Sequence, residues 1–143
     1  MRAIALGPSD SGKTVFIQSL TVDLMSTRGG GSVFLHIYLW SPSIHMDPAW
    51  QTVKDFARKV ESTEQNEEEC FFEGFNPVDL QGVIDKQQKL IESLKSRGAR
   101  TLPNMLIVLD DIADNEQIAR REVLLHQLFF RGRHAKISTL IAT

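Results

Sequence analysis

Cysteine is nearly absent: Cys70 stands alone among 143 residues. That excludes an internal disulfide and a cysteine-rich zinc site, and it suits a reducing compartment. Long hydrophobic runs are missing too. The longest, residues 33–40, is interrupted by His36 and is too short to cross a bilayer. The N-terminal apolar stretch reads as a first strand and not as a signal peptide. Nor is there an excess of positive charge, the net charge being −2. Residues 1–76 hold 6 basic and 10 acidic side chains, and residues 77–143 hold 10 and 8. The chain therefore lacks the monomer-wide basic footprint of a DNA-binding domain, and any nucleic-acid contact needs a local patch or a surface built by oligomerisation. Internal repeats and low-complexity tails are also absent. What remains, 42% hydrophobic and 24% charged residues, has room for one domain with a real core.

Against that plain background one stretch stands out. Gly7, Pro8, Ser9, Asp10, Ser11, Gly12, Lys13 and Thr14 fit the phosphate-binding pattern G-x-x-x-x-G-K-[ST] without a gap. Ala3-Ile4-Ala5-Leu6 before it reads as a strand, and the residues from Val15 onward read as a helix, which is the context the pattern requires. Glycines at both ends allow a tight turn whose N–H groups point at a phosphate, and the helix start adds its positive dipole end. Lys13 is a point charge for the β- and γ-phosphates, and the Thr14 hydroxyl suits Mg²⁺. At an average glycine usage of about 7%, an accidental match is roughly a one-in-a-few-hundred event.

The helix after this loop is expected over residues 12–26, with Phe16, Ser19, Leu20 and Val22 facing inward and residues 29–31, all glycine, ending it. Residues 33–40 form a nearly continuous apolar strand of the kind covered on both faces in a parallel sheet, stopped by Ser41-Pro42-Ser43. Asp47-Pro48 reads as an N-cap and first helical residue, with Trp50, Val53, Phe56, Ala57 and Val60 on the inner face. The glutamates at 64, 67, 68 and 69 read as a solvated loop. Asn76-Pro77 starts a further helix with Leu80, Val83, Ile84, Gln87, Ile91 and Leu94 inward, ending at Arg97-Gly98. Leu102-Pro103 leads into a buried strand, residues 105–109, followed by Asp110 and Asp111. Asn115 caps a last helix through Ile118, Val123, Leu125, Leu128 and Phe129; residues 131–134 turn the chain into a final strand, residues 137–142. The order β-α-β-α-α-β-α-β predicts an α/β fold with a parallel sheet between helical layers. If a strand separates the loop-bearing strand from the one ending in Asp110, it is the final one.

Four apolar residues ending in an acid put Asp110 at the carboxyl end of a parallel strand, where open α/β sheets bind ligands. Its expected role is to hold Mg²⁺ opposite Thr14. Asp111 either polarises an attacking water, which would mark a hydrolase, or solvates the loop before Asn115. Arg131, Arg133 and His134 follow a helix C-terminus, where the dipole alone stabilises a cation by roughly 0.3–1 kcal/mol. Of these three, Arg133 is the candidate for a functional role and His134 reads as structural. Cys70 reads as a plain thiol, and Trp40 and Trp50 as core residues.

Residues 106–114, Leu-Ile-Val-Leu-Asp-Asp-Ile-Ala-Asp, resemble poxvirus-type genome-packaging ATPases of nucleocytoplasmic large DNA viruses, in the FtsK/HerA branch of P-loop motors. So do residues 128–134, Leu-Phe-Phe-Arg-Gly-Arg-His, leading into residues 137–143, and Ile37-Tyr38-Leu39-Trp40-Ser41-Pro42 ends in the family's way. The resemblance implies a three-layer P-loop NTPase with a RecA/FtsK-like core over residues 1–143, continuing in the family with a further strand and a γ-phosphate-sensing glutamine beyond Thr143, so that the domain is expected to be C-terminally incomplete. It also implies ATP and Mg²⁺ as cofactors, with residues 7–15 (Val15 included) binding the nucleotide, Thr14 and Asp110 the metal, and Lys13, Asp111 and Arg133 acting in catalysis. Implied partners are double-stranded DNA, identical subunits in a ring, and capsid proteins, in the host cytoplasm (the viral factory) or the virion. In the family's strand order the first strand lies at an open sheet edge. The residues leave two other readings open: a small-molecule or nucleoside kinase, and an inert nucleotide-binding module.

Overall fold

A computed structural model describes residues 2–8, 11–25, 34, 36–60, 70–111 and 118–142. Its centre is the strand Met105–Asp110, all six residues of which are buried. A run of six apolar-to-acidic residues without alternation can be covered only if the sheet has helices on both faces. The strands are β1 (Arg2–Ala5), β2 (His36–Trp40), β3 (Phe71–Phe72), β4 (Met105–Asp110) and β5 (Ile137–Ala142), and the helices are α1 (Lys13–Met25), α2 (Pro48–Val60), α3 (Pro77–Ser96) and α4 (Ile118–Arg131). The sheet is parallel throughout, in the order β1-β5-β4-β2-β3. α1 packs on α2 and α3 on α4. Right-handed crossovers put the first pair on one face and the second pair on the other, because the chain runs one way across the sheet through β3 and then returns. This is the expected three-layer α/β architecture, with β5 filling the gap between β1 and β4 and β1 at one end of the sheet.

Register decides what the sheet presents at its carboxyl edge. Ala5 pairs with Ala142, Ala142 with Asp110, and Trp40 with Leu109. Ser41, next after Trp40, therefore comes level with Asp110, and the loop after β1 emerges two strands away. Core burial follows the expected residues in most places. Trp50, Val53 and Ala57 are buried on α2, and Leu80, Val83, Ile84, Gln87 and Ile91 on α3. Trp40 and Trp50 are core side chains and Cys70 is a buried thiol outside any disulfide. The Asn76 side chain caps α3 by accepting from the Val78 N–H at 2.9 Å.

Three expectations are corrected. The element order omits β3, whose two residues pair with Leu39 and Trp40; two residues are too few to show a period, and what holds them is tertiary, Phe72 stacking on Trp40 at 4.6 Å. On α1 the inner face is not Phe16 and Ser19, which are exposed, but Ile17, Gln18 and Thr21, with Leu20 and Val22 half-buried. Polar and apolar residues are mixed around the helix with no apolar stripe, so polarity decides nothing. Burial of the polar pair is tolerated because each is hydrogen-bonded: Gln18 to Asp47 at 2.8 Å, and Thr21 to the Ile17 carbonyl at 2.7 Å. On α4, Leu124 and Leu128 are buried whereas Val123 is 59% exposed. The readings of Val33, Leu35, the glutamates at 64–69, and Asn115 fall outside the described residues.

Gly132, in the turn between α4 and β5, is buried, and a Cβ there would sit far inside van der Waals contact with the Leu128 carbonyl oxygen. Its backbone ties the turn, accepting from Ile137 N–H at 2.9 Å and donating to Leu128 O at 3.2 Å. Gly132→Ala is expected to destabilise the protein by about 1–3 kcal/mol, because the crowding atom is backbone and cannot rotate away. Denaturant midpoints check this against Gly82→Ala in α3, where an added Cβ meets nothing within 4 Å and stability holds or rises.

Candidate phosphate and metal site

The site begins with backbone. Gly12 adopts φ 82, a left-handed conformation that residues with a Cβ rarely take, and α1 starts at the next residue. That reversal brings Lys13 back over residues 7 and 8. Its Nζ donates to the Gly7 carbonyl oxygen and, at 2.8 Å, to that of Pro8. One residue further along, the Thr14 hydroxyl donates to Asp110 Oδ1 at 3.1 Å across a separation of 96 residues. Pro8, Ser11, Gly12 and Val15 are exposed and Gly7 half-buried, so the loop opens to solvent. Ser9 and Asp10 lie outside the described residues.

Asp110 is 2% exposed. Burial, which penalises the charged form, pushes its carboxyl above the usual range; the hydrogen bonds from Ser41 and Thr14 oppose this, and the nearby charges of Asp111 and Asp47 add to it. Ser41 Oγ donates to Asp110 Oδ2 at 2.9 Å and lies 3.1 Å from Ser43 Oγ, which accepts from the Trp50 indole N–H at 3.2 Å. Asp47 closes the same side. Its Oδ1 caps α2 through the Ala49 N–H at 3.0 Å, and its Oδ2 accepts from Gln18 at 2.8 Å. Those two donors hold its carboxyl below the usual range. The two acids thus have opposite linkage. Asp47 adds stability above the ordinary carboxylate range that is lost as pH falls through its lowered pKa. The contribution of Asp110 is present at low pH and lost as pH rises through its raised pKa.

Asp111 is exposed, at φ 50, with its N–H bonded to the Ala142 carbonyl at 3.0 Å. The sheet edge therefore carries it outward from the buried Asp110. Lys13, Thr14 and Asp110 are brought together as the sequence implies. Arg133 is not. It is exposed in the turn ahead of β5, whereas Ala142 at the far end of that six-residue strand is level with Asp110. At about 3.3 Å per residue, Arg133 is roughly 20 Å from the site in its own chain. Arg131 and His134 share that exposed turn. Sequence reading missed Ser41, Ser43 and Gln18 as site neighbours. Ser41 could have been found only from strand order, since its nearness to Asp110 comes from β2 pairing with β4.

Among the described residues no cluster of three or more His, Cys, Asp or Glu could hold a metal by itself. The oxygen pair of Thr14 and Asp110 instead suits a hard cation that takes one carboxylate and completes its shell with phosphate and water.

A family profile described as "Poxvirus A32 protein" matches residues 1–143. The chain belongs to that family. Among solved structures, it is similar to EccC (ATPases 2 and 3) of Thermomonospora curvata, determined in complex with a signal sequence peptide. The TM-score is 0.56 and the identity 14%, over 99% of this chain and 24% of that one. At that identity the likeness concerns the fold alone. The chain spans about a quarter of that protein's length. Comparison with curated proteins gives no match. No helix among the described residues is long and apolar enough to cross a membrane.

Proposed function

We propose that this chain binds ATP with Mg²⁺ at residues 7–15 and hydrolyses it to drive double-stranded DNA into a viral capsid. The observation that carries this reading is the hydrogen bond between Thr14 and Asp110. It joins a helix-start hydroxyl to a strand-end carboxylate, the two protein oxygens that a phosphate-bound Mg²⁺ needs. Lys13 supplies the counter-charge to the β- and γ-phosphates, and the N–H groups around Gly12 face them with the positive end of α1. Thr14 and Asp110 would hold the Mg²⁺, whose charge would offset that of the phosphates. Asp111, exposed beside Asp110, orients and deprotonates the attacking water.

DNA, sister subunits and capsid proteins are the partners this reading implies, at the site of virus assembly. A net charge of −2 offers a lone chain little pull on DNA, so a ring that gathers local basic patches fits better. Arg133, remote from the site of its own chain, acts in this reading on the nucleotide of a neighbouring subunit. Arginine suits that task because it stays charged and grips phosphate with a planar fork.

Asp110→Asn tests the central claim. The amide keeps the shape and loses the charge, so nucleotide affinity measured with Mg²⁺ is expected to fall about tenfold or more, as expected when charge-assisted ligation is lost. Affinity measured in a metal chelator stays near wild type. Equal loss in both conditions removes Asp110 from the metal role.

A further inference from the structure

Asp110 sits at the end of a directed line of hydrogen bonds that nothing in the phosphate loop explains. An indole N–H can only donate, and an ionised carboxylate can only accept. With Trp50 Nε1 giving to Ser43 Oγ, and Ser41 Oγ giving to Asp110 Oδ2, the hydroxyl proton of Ser43 is left to point at Ser41. Every donor in the line Trp50, Ser43, Ser41 is then oriented toward the carboxylate. The Ser43 N–H adds a second bond to Ser41 Oγ at 3.3 Å.

The line is also rigid. Ser41 and Trp50 are both fully buried. The Ser41 N–H is bound to the Phe72 carbonyl at 3.0 Å, the Ile44 N–H to the Ser41 carbonyl at 3.2 Å, and the Trp50 N–H to the Asp47 carbonyl at 3.1 Å. A turn anchored in β3, β2 and α2 therefore reaches across to a carboxylate on β4. Thr14 lies nearer Oδ1, at 3.1 Å, than Oδ2, at 3.4 Å, and Ser41 holds Oδ2.

We propose that Ser41, itself oriented by Ser43 and Trp50, is a positioning residue that fixes the Asp110 carboxylate for the metal of a Mg²⁺–nucleotide complex. This rests on the reading of Thr14 and Asp110 as the metal-holding pair. When the Thr14 hydroxyl turns from Asp110 to the cation, Asp110 loses one of its two donors. Ser41 keeps the carboxylate plane from rotating, so that Oδ1 stays aimed into the site. Outer-shell partners of this kind orient ligands in metal sites and raise affinity.

The test is nucleotide binding by calorimetry with a non-hydrolysable ATP analogue, titrated with Mg²⁺ and repeated in chelator. In Ser41→Ala the Mg²⁺ concentration needed for half-maximal binding is expected to rise about 10- to 100-fold, with chelator affinity unchanged. Ser41→Thr, which keeps the hydroxyl, stays closer to wild type than Ser41→Ala. Ser43→Ala, at a half-buried position, gives a smaller rise in the same direction, and it decides the matter if Ser41→Ala does not fold. An unchanged Mg²⁺ requirement in Ser43→Ala together with Ser41→Ala, or an equal loss in chelator, overturns the positioning role. Asp110→Asn run in parallel separates the two ideas. If it loses Mg²⁺ dependence and Ser41→Ala does not, only the positioning role falls. If Asp110→Asn changes nothing, the metal reading falls and the positioning role with it.

Discussion

Lys13→Ala is expected to bring nucleotide binding below calorimetric detection. The Nζ of Lys13 lies over the loop, bonded to the Gly7 and Pro8 carbonyls. A phosphate entering the loop replaces those neutral acceptors with charged ones, and each charge-assisted bond is worth about 1.5–3 kcal/mol. Losing two such contacts predicts an affinity at least about 100-fold weaker. The fold should survive: Lys13 is only half-buried and its neighbour Gly12 keeps the turn. Circular dichroism and a thermal scan on the same sample establish this. Micromolar-range affinity retained in Lys13→Ala would count against residues 7–14 as the phosphate site.

Asp111→Asn carries the second large effect, a fall in turnover of about 10²–10⁴-fold, the usual worth of a positioned base. Binding of ATP should be nearly intact. The choice of asparagine matters because Asp111 has φ 50, a left-handed conformation that Asn tolerates and most residues do not. Asp111→Ala would add a backbone cost of about 1–2 kcal/mol and so mix stability with chemistry. The N–H bond from residue 111 to the Ala142 carbonyl is kept in Asp111→Asn. Because the Asp111 charge helps to raise the Asp110 pKa, its removal makes Asp110 easier to ionise, and the Mg²⁺ requirement should not increase. The two adjacent acids are thereby separable: Asp110→Asn shifts metal dependence, Asp111→Asn shifts rate. The measurement needs an assembly that hydrolyses ATP. Wild-type turnover in Asp111→Asn would sink the base assignment.

Much of this site is legible in the sequence alone. A helix-start lysine and threonine after a glycine-bounded loop is a local pattern, and its chemistry depends on neighbours a few residues away. The same holds for β4, where five consecutive apolar residues and an acid could hardly be anything but a covered strand with its ligand-facing end marked. β5 was equally plain, bounded by a tight turn and by its own apolar run. The sequence names β5 as the filler only on the condition that a strand separates β1 from β4, and the sheet order meets that condition.

Tertiary structure decided what local pattern could not reach. α1 mixes polar and apolar residues on every side, so only packing could select Ile17, Gln18 and Thr21 as its buried face, and Gln18 is admitted there because Asp47 accepts its hydrogen bond. β3 is two residues long and exists because β2 offers an edge and Trp40 a ring to stack on. Arg133 reads in sequence as a neighbour of the final strand, yet it precedes the end of β5 that lies away from Asp110. Parallel strands put their starts and ends on opposite edges of the sheet. Ser41 reads as a strand stop. It becomes the partner of Asp110, 69 residues away, only because β2 pairs with β4 in one register, and pairing between distant strands is a property of the folded sheet, not of either segment alone.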